Sequence, residues 1–181
     1  MHYFLVDNCD ELSSLYNMIE KAKGDRKTLS ALISKSLSIK KKMIEIDEFD
    51  TGPRNVFNYG HSFGHAIEAT TNFKIPHGIA VAYGMDLANI LSVHLGNIDM
   101  SLRNKIRSIL ELIWCETPLP KIDLDAYMRA LSKDKKNVGN EIKVILTKGL
   151  GNMYKTTLAK EPAILNIIAD FFESEFYRRA L

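Results

Sequence analysis

Five polar side chains between Arg54 and Glu68 recur at helical intervals. Arg54, Asn58, His61, His65 and Glu68 are separated by four, three, four and three residues. At about 3.6 residues per turn, one continuous helix would stack them in a single stripe. A guanidinium, an amide, two imidazoles and a carboxylate on one line are costly to bury with nothing to bind, and imidazoles with carboxylates are the usual protein grips on a divalent metal. His61 and His65 at i and i+4 are by themselves a weak signal. They gain weight from Gly60 and Gly64, which each precede a histidine. Each glycine lowers helix stability by roughly 1 kcal/mol relative to alanine, which makes sense where another backbone, a ligand or a cofactor approaches closely. His77 follows sixteen residues after His61, just past Pro76, at the start of a further helical segment from which a side chain can face back. Alone, His77 would read as nothing more than the beginning of a helix.

Arg54 and Asn58, one turn apart near a helix N-terminus, suit a phosphate or a carboxylate. The plain alternative is a solvated arginine. Lys40, within Lys40-Lys41-Lys42, and Lys135 or Lys136, within Ser132-Lys133-Asp134-Lys135-Lys136-Asn137, could bring further cations to the same anion. Taken alone, both runs read as solvated surface.

The elements that must position these groups are mostly helices. Apolar spacing predicts helices over Asp10–Ala22, Arg26 to about Ile46, His77–Gly96, Ser101–Trp114, Asp123 to about Ser132 and Pro162 to about Arg179. The polar-striped helix is expected to run unbroken from Arg54 to about Thr71, after a turn-rich loop over Asp47–Pro53. One hairpin is expected, from Ile142–Leu146 through Gly149-Leu150-Gly151 to Met153–Leu158. The fold class is therefore mainly α with one small β-hairpin.

The 181 residues, 46% hydrophobic and 25% charged with a net charge of +2, have the composition of an ordinary globular domain. Interspersed charges give no nucleic-acid signature. The apolar run from Ile79 to Leu95 contains Asp86, Asn89 and His94 and reads as a buried helix rather than a membrane span. The N-terminus lacks the features of a secretory leader, so a cytoplasmic protein with reduced Cys9 and Cys115 is expected. Gly149-Leu150-Gly151 fails as a dinucleotide fingerprint because no helix opens after it. No GxSxG, GxxxxGK[ST] or HExxH sequence is present.

Gly52-Pro53-Arg54, Asn58-Tyr59-Gly60-His61-Ser62-Phe63-Gly64-His65-Ala66-Ile67-Glu68, His77-Gly78 and Ala80-Val81-Ala82-Tyr83-Gly84-Met85 closely resemble the 3-dehydroquinate synthase family of sugar phosphate cyclases. The resemblance runs from about Asp10 to the C-terminus and implies the helical C-terminal domain of a two-domain enzyme, with the N-terminal NAD-binding domain absent. It implies His61 and His77 as ligands to Zn2+ or Co2+, with a third ligand, a glutamate, ahead of the first residue. It further implies Lys40, Arg54, Asn58 and one of Lys135 and Lys136 as substrate-binding groups, His65 as the proton-transfer residue, and Asp50 at an acidic catalytic position. The implied partners are a phosphorylated sugar-acid substrate, an NAD-binding domain that could act in trans, and a second copy in a homodimer of the full enzyme; neither nucleic acid nor membrane is expected. The implied reaction converts 3-deoxy-D-arabino-heptulosonate 7-phosphate to 3-dehydroquinate and phosphate, with the isolated chain inactive.

Three positions depart from the family pattern: Ile79 stands where an acidic residue follows His-Gly, Pro53 follows Gly52, and Asp50 is shorter than the usual glutamate. They keep open a cyclase of another sugar phosphate. A non-catalytic helical partner or truncation product is the alternative of a different class. A metal hydrolase would need His65, Glu68 and Asp50 to converge with His61 and His77 on one ion, which helical spacing disfavours for His65.

Overall fold

The computed structural model describes residues 2–7, 11–133 and 141–177. Among these, the order is α1 (His2–Val6), α2 (Leu12–Ala22), α3 (Arg26–Ile46), a 3-10 helix (Pro53–Asn58), α4 (His61–Thr70), α5 (His77–His94), α6 (Met100–Trp114), α7 (Leu124–Lys133), β1 (Glu141–Thr147), β2 (Met153–Ala159) and α8 (Pro162–Tyr177). The mainly helical architecture with one hairpin is as the sequence predicts. α1 is an addition: its Phe4, Leu5 and Val6 are buried, and Leu5 accepts a 2.8 Å hydrogen bond from the Gly151 N–H in the hairpin turn.

α5 is the central element. Its run from Ala80 to Asn89 is buried on every side, as an all-round apolar helix must be, and α4, α6, α8 and β1 pack against it. No helix among the described residues is long and apolar enough to cross a membrane. Starts and stops follow local chemistry. The Asp25 carboxylate caps α3 by accepting from the Lys27 N–H at 3.0 Å, and Asp99 caps α6 by accepting from Leu102 at 2.7 Å. β1 and β2 pair antiparallel from Glu141 opposite Ala159 to Thr147 opposite Met153. The Thr147 N–H donates to Ser92 Oγ at 3.2 Å, which pins the hairpin to α5.

One expectation is corrected. The striped helix is not continuous: the chain forms a 3-10 turn over Pro53–Asn58, and Gly60 at φ +79° starts a separate helix, α4. A proline at the first position and a left-handed glycine at the junction divide the segment, so Arg54 and Asn58 do not share a line with His61, His65 and Glu68. α3 is present as expected. Its apolar spacing implies a buried face, yet only Ile39 is buried, while Leu29, Ile33, Leu37 and Ile44 are 37–59% exposed. Nothing among the described residues covers that side.

α4 lies against α5 at backbone distance. A Cβ on Gly64 would sit 2.9 Å from Val81 Cα, and one on Gly84 would sit 2.1 Å from the Gly60 carbonyl oxygen. Of the three reasons for glycine at positions 60 and 64, approach of another backbone is therefore the one realised: that backbone is α5.

Candidate metal centre

The close approach of α4 and α5 brings three imidazoles together. His61 begins α4, His65 follows one turn later, and His77 is the first residue of α5. Their ring centroids form a near-equilateral triangle, 5.6 Å for His61–His65, 5.4 Å for His61–His77 and 5.6 Å for His65–His77. A metal between rings at this spacing lies within reach of Nε2 or Nδ1 atoms. Potential ligand atoms of His65, Glu68 and His77 lie within 4.8 Å of one another. The expectation that helical spacing keeps His65 apart is thus not met, because His77 comes in from α5 to meet it.

The hydrogen bonds at the cluster define tautomers. His61 Nδ1 lies 3.2 Å from the Tyr59 carbonyl oxygen. A carbonyl can only accept, so this nitrogen carries the proton and donates. His77 Nδ1 lies 3.0 Å from Glu68 Oε2. The Glu68 side chain is 12% exposed and that of His77 is 55% exposed, so the cluster has a covered floor and an open mouth. Neutral imidazole nitrogens with a carboxylate fit a borderline ion such as Zn2+ or Co2+.

The remaining predicted groups fall elsewhere. Arg54 turns into the loop before it: its Nη1 donates to the carbonyls of Asp47 at 3.1 Å and Glu48 at 2.6 Å, and its Nε lies 3.6 Å from Asp50 Oδ1. Asp50 has left-handed backbone, φ +56°, and its carbonyl accepts from Asn55 Nδ2 at 2.8 Å. Asn58 faces a narrow cleft against the hairpin with Asn55, Ser62, Lys143 and Lys155. Lys40 is exposed on α3. Lys135 and Lys136 lie outside the described residues.

Asp47, which the sequence reading assigned only to a loop, organises that loop. Its buried carboxylate accepts from the backbone N–H groups of Thr51 at 3.0 Å, Gly52 at 2.9 Å and Arg54 at 3.0 Å. Burial pushes this carboxyl up, but the three backbone donors and the Arg54 charge together hold it below the usual carboxylate range. The readable signal was an aspartate four residues before a Thr-Gly-Pro turn.

Comparison with known proteins identifies the fold and the family. The fold is that of the sugar phosphate cyclases: a crystal structure of 2-deoxy-scyllo-inosose synthase complexed with carbaglucose-6-phosphate, NAD+ and Co2+ superposes with a TM-score of 0.72 at 26% identity, over 80% of this chain and 41% of that one. ValA, the 2-epi-5-epi-valiolone synthase of Streptomyces hygroscopicus subsp. jinggangensis 5008 with NAD+ and Zn2+ bound, superposes at 0.70 with 17% identity, over 96% and 50% of the two chains, and shows the fold alone. The family described as 3-dehydroquinate synthase C-terminal matches residues 2–137, and the chain belongs to it. It is 34% identical to the bifunctional 3-dehydroquinate synthase/phosphatase of Fusobacterium nucleatum, over 99% of this chain and 27% of that protein. It is 33% identical to the 3-dehydroquinate synthase of Campylobacter concisus, over 87% and 46%. The chain thus spans less than half the length of these curated relatives.

Proposed function

We propose that this chain is the metal- and substrate-binding part of a 3-dehydroquinate synthase-like enzyme, with 3-deoxy-D-arabino-heptulosonate 7-phosphate as substrate and 3-dehydroquinate and phosphate as products. The observation that carries the reading is the meeting of His61 and His77, ring centroids 5.4 Å apart, from the starts of two successive helices, α4 and α5. His61 and His77 hold Zn2+ or Co2+ through Nε2. The bound ion supplies Lewis acidity toward a substrate hydroxyl.

His65, exposed at the mouth of the cluster, accepts or relays a proton. The family resemblance assigns Arg54, Asn58, Lys40 and one of Lys135 and Lys136 to the substrate and Asp50 to an acidic catalytic position, and Asp50 Oδ1 lies 3.6 Å from Arg54 Nε. NAD binds to a separate dinucleotide-binding domain, as the relatives' greater length supports. These 181 residues alone do not turn over.

Calorimetric titration with Zn2+ tests the reading. The wild type is expected to bind weakly and both His61→Ala and His77→Ala to lose binding; equal affinity in all three would sink it. Phosphate release by the isolated chain, given substrate, NAD+ and Zn2+, would overturn the claim of inactivity. A second reading, a cyclase acting on another sugar phosphate, draws support from Ile79 beside His77-Gly78 and from the likeness to 2-deoxy-scyllo-inosose synthase. Product analysis with a hexose 6-phosphate, in the presence of a complementing NAD-binding domain, separates the two.

A further inference from the structure

The carboxylate of Glu68 has no part in the scheme above, yet it is the most enclosed polar group of the cluster. It sits on α4 two turns beyond His61 and one beyond His65, with the residue as a whole 9% exposed. Its Oε2 lies 3.0 Å from Nδ1 of His77, the first residue of the next helix. Between Glu68 and His77 the chain makes a tight reversal, in which the Phe73 N–H donates to the Glu68 carbonyl at 2.8 Å and both Asn72 and Phe73 take positive φ. The side-chain contact therefore spans the turn that joins the two ligand-bearing helices.

We infer that Glu68 is a positioning residue: it holds the exposed His77 ring in the Nδ1–H tautomer, with Nε2 aimed into the cluster. The inference rests on the metal reading and adds to it a residue that acts through His77 rather than on the ion. Three observations carry it. The side chain of Glu68 meets His77 through a carboxylate oxygen, an acceptor, so the 3.0 Å contact has His77 Nδ1 donating. A neutral imidazole in water otherwise favours the opposite tautomer, so the lone pair at Nε2 needs a partner to keep it there. His77 is more than half exposed in its side chain, with little packing to fix its rotamer, whereas Glu68 is anchored in the floor.

His61 has the same arrangement built differently, since the Tyr59 carbonyl occupies its Nδ1 at 3.2 Å. Both proposed ligands thus present Nε2, one oriented by backbone and the other by a side chain. Such partners of metal-bound histidines typically matter by about 10–100-fold in metal affinity.

The test uses this chain, Co2+ as probe, and nitrogen NMR of the imidazoles without metal. In the wild type, His77 is expected as the Nδ1–H tautomer. Glu68→Ala should shift it toward Nε2–H and weaken Co2+ binding by about 10–100-fold. Glu68→Gln keeps an acceptor oxygen, so it should retain the tautomer and lose less affinity, and its thermal unfolding reports whether the fold is intact. Unchanged Co2+ affinity in a folded Glu68→Ala overturns the inference while leaving the metal reading standing. Complete loss of binding in a folded Glu68→Gln overturns it in the other direction, by making Glu68 a ligand. Failure of the wild type to bind Co2+, or wild-type affinity in His77→Ala, brings down the metal reading and this inference with it.

Discussion

α5 carries two polar clusters, and their difference separates what folds this chain from what it offers to a ligand. At the helix start stands His77, half open to solvent, facing two other imidazoles across α4. Nine residues later Asp86 is fully buried, with Oδ2 accepting from Arg103 at 2.7 Å and from Arg107 at 2.5 Å. Arg107 also reaches Glu175 on α8 at 2.7 Å and Glu111 at 2.8 Å. The second cluster balances cations against anions and ties α5, α6 and α8 together. Burial pushes the Asp86 carboxyl up against the opposing pull of the two guanidiniums. Tyr59 closes the space between the clusters: its hydroxyl donates to Asn89, and burial keeps the phenol neutral by pushing its pKa up. The histidine cluster has no such internal balance. It gathers three imidazoles with one carboxylate and leaves a mouth open to solvent.

The largest effect is expected at the sealed cluster. Asp86→Ala strands Arg103 and half of the Arg107 partnership in the interior and should cost about 3–5 kcal/mol of stability, read from urea unfolding. Metal affinity of the fraction that stays folded should not change; if it falls as well, the two clusters are not independent. Gly84→Ala tests the contact between them. A methyl 2.1 Å from the Gly60 carbonyl must push α4 away, costing about 1–3 kcal/mol and weakening Co2+ binding together with stability.

The Asp47 loop lies between these extremes, a buried carboxylate satisfied by backbone. Because its folded pKa is depressed, its contribution is complete above the unfolded value of about 3.9 and is lost as pH falls through the folded value. Asp47→Asn should therefore destabilise the chain at pH 6, and the gap to wild type should close below about pH 4 in urea melts. The smallest effect on stability belongs to the open cluster. His77→Ala removes a mostly exposed ring and one hydrogen bond to Glu68, and should shift unfolding by about 1 kcal/mol while abolishing metal binding. A large loss of stability there would make His77 a structural residue.

The sequence showed the meeting of His61 and His77 more clearly than the path that brings them together. Helical spacing located α2 through α8 because each carries an amphipathic or wholly apolar pattern, and those patterns determine how an element buries itself. Spacing alone could not reveal the break at Gly60. A left-handed residue leaves the count of residues intact while redirecting the chain, so Arg54 and Asn58 kept their place in the arithmetic and lost it in space. Only the glycine itself hinted at the break. Arg54 was read as an anion fork, but in the structure its Nη1 is spent on two loop carbonyls that no spacing rule anticipates. The helix expected over Arg26 to Ile46 is present as α3, and its exposed apolar residues show that helical spacing locates a helix without saying what covers its face.

The glycines between α4 and α5 have a consequence for how such a centre can vary. The gap that sets the reach of one imidazole toward another is fixed by Gly60, Gly64 and Gly84, residues with no functional group at all. A single added methyl group there would run into the facing segment and widen the spacing of the imidazoles. The tuning of this centre thus resides in places where side chains are missing.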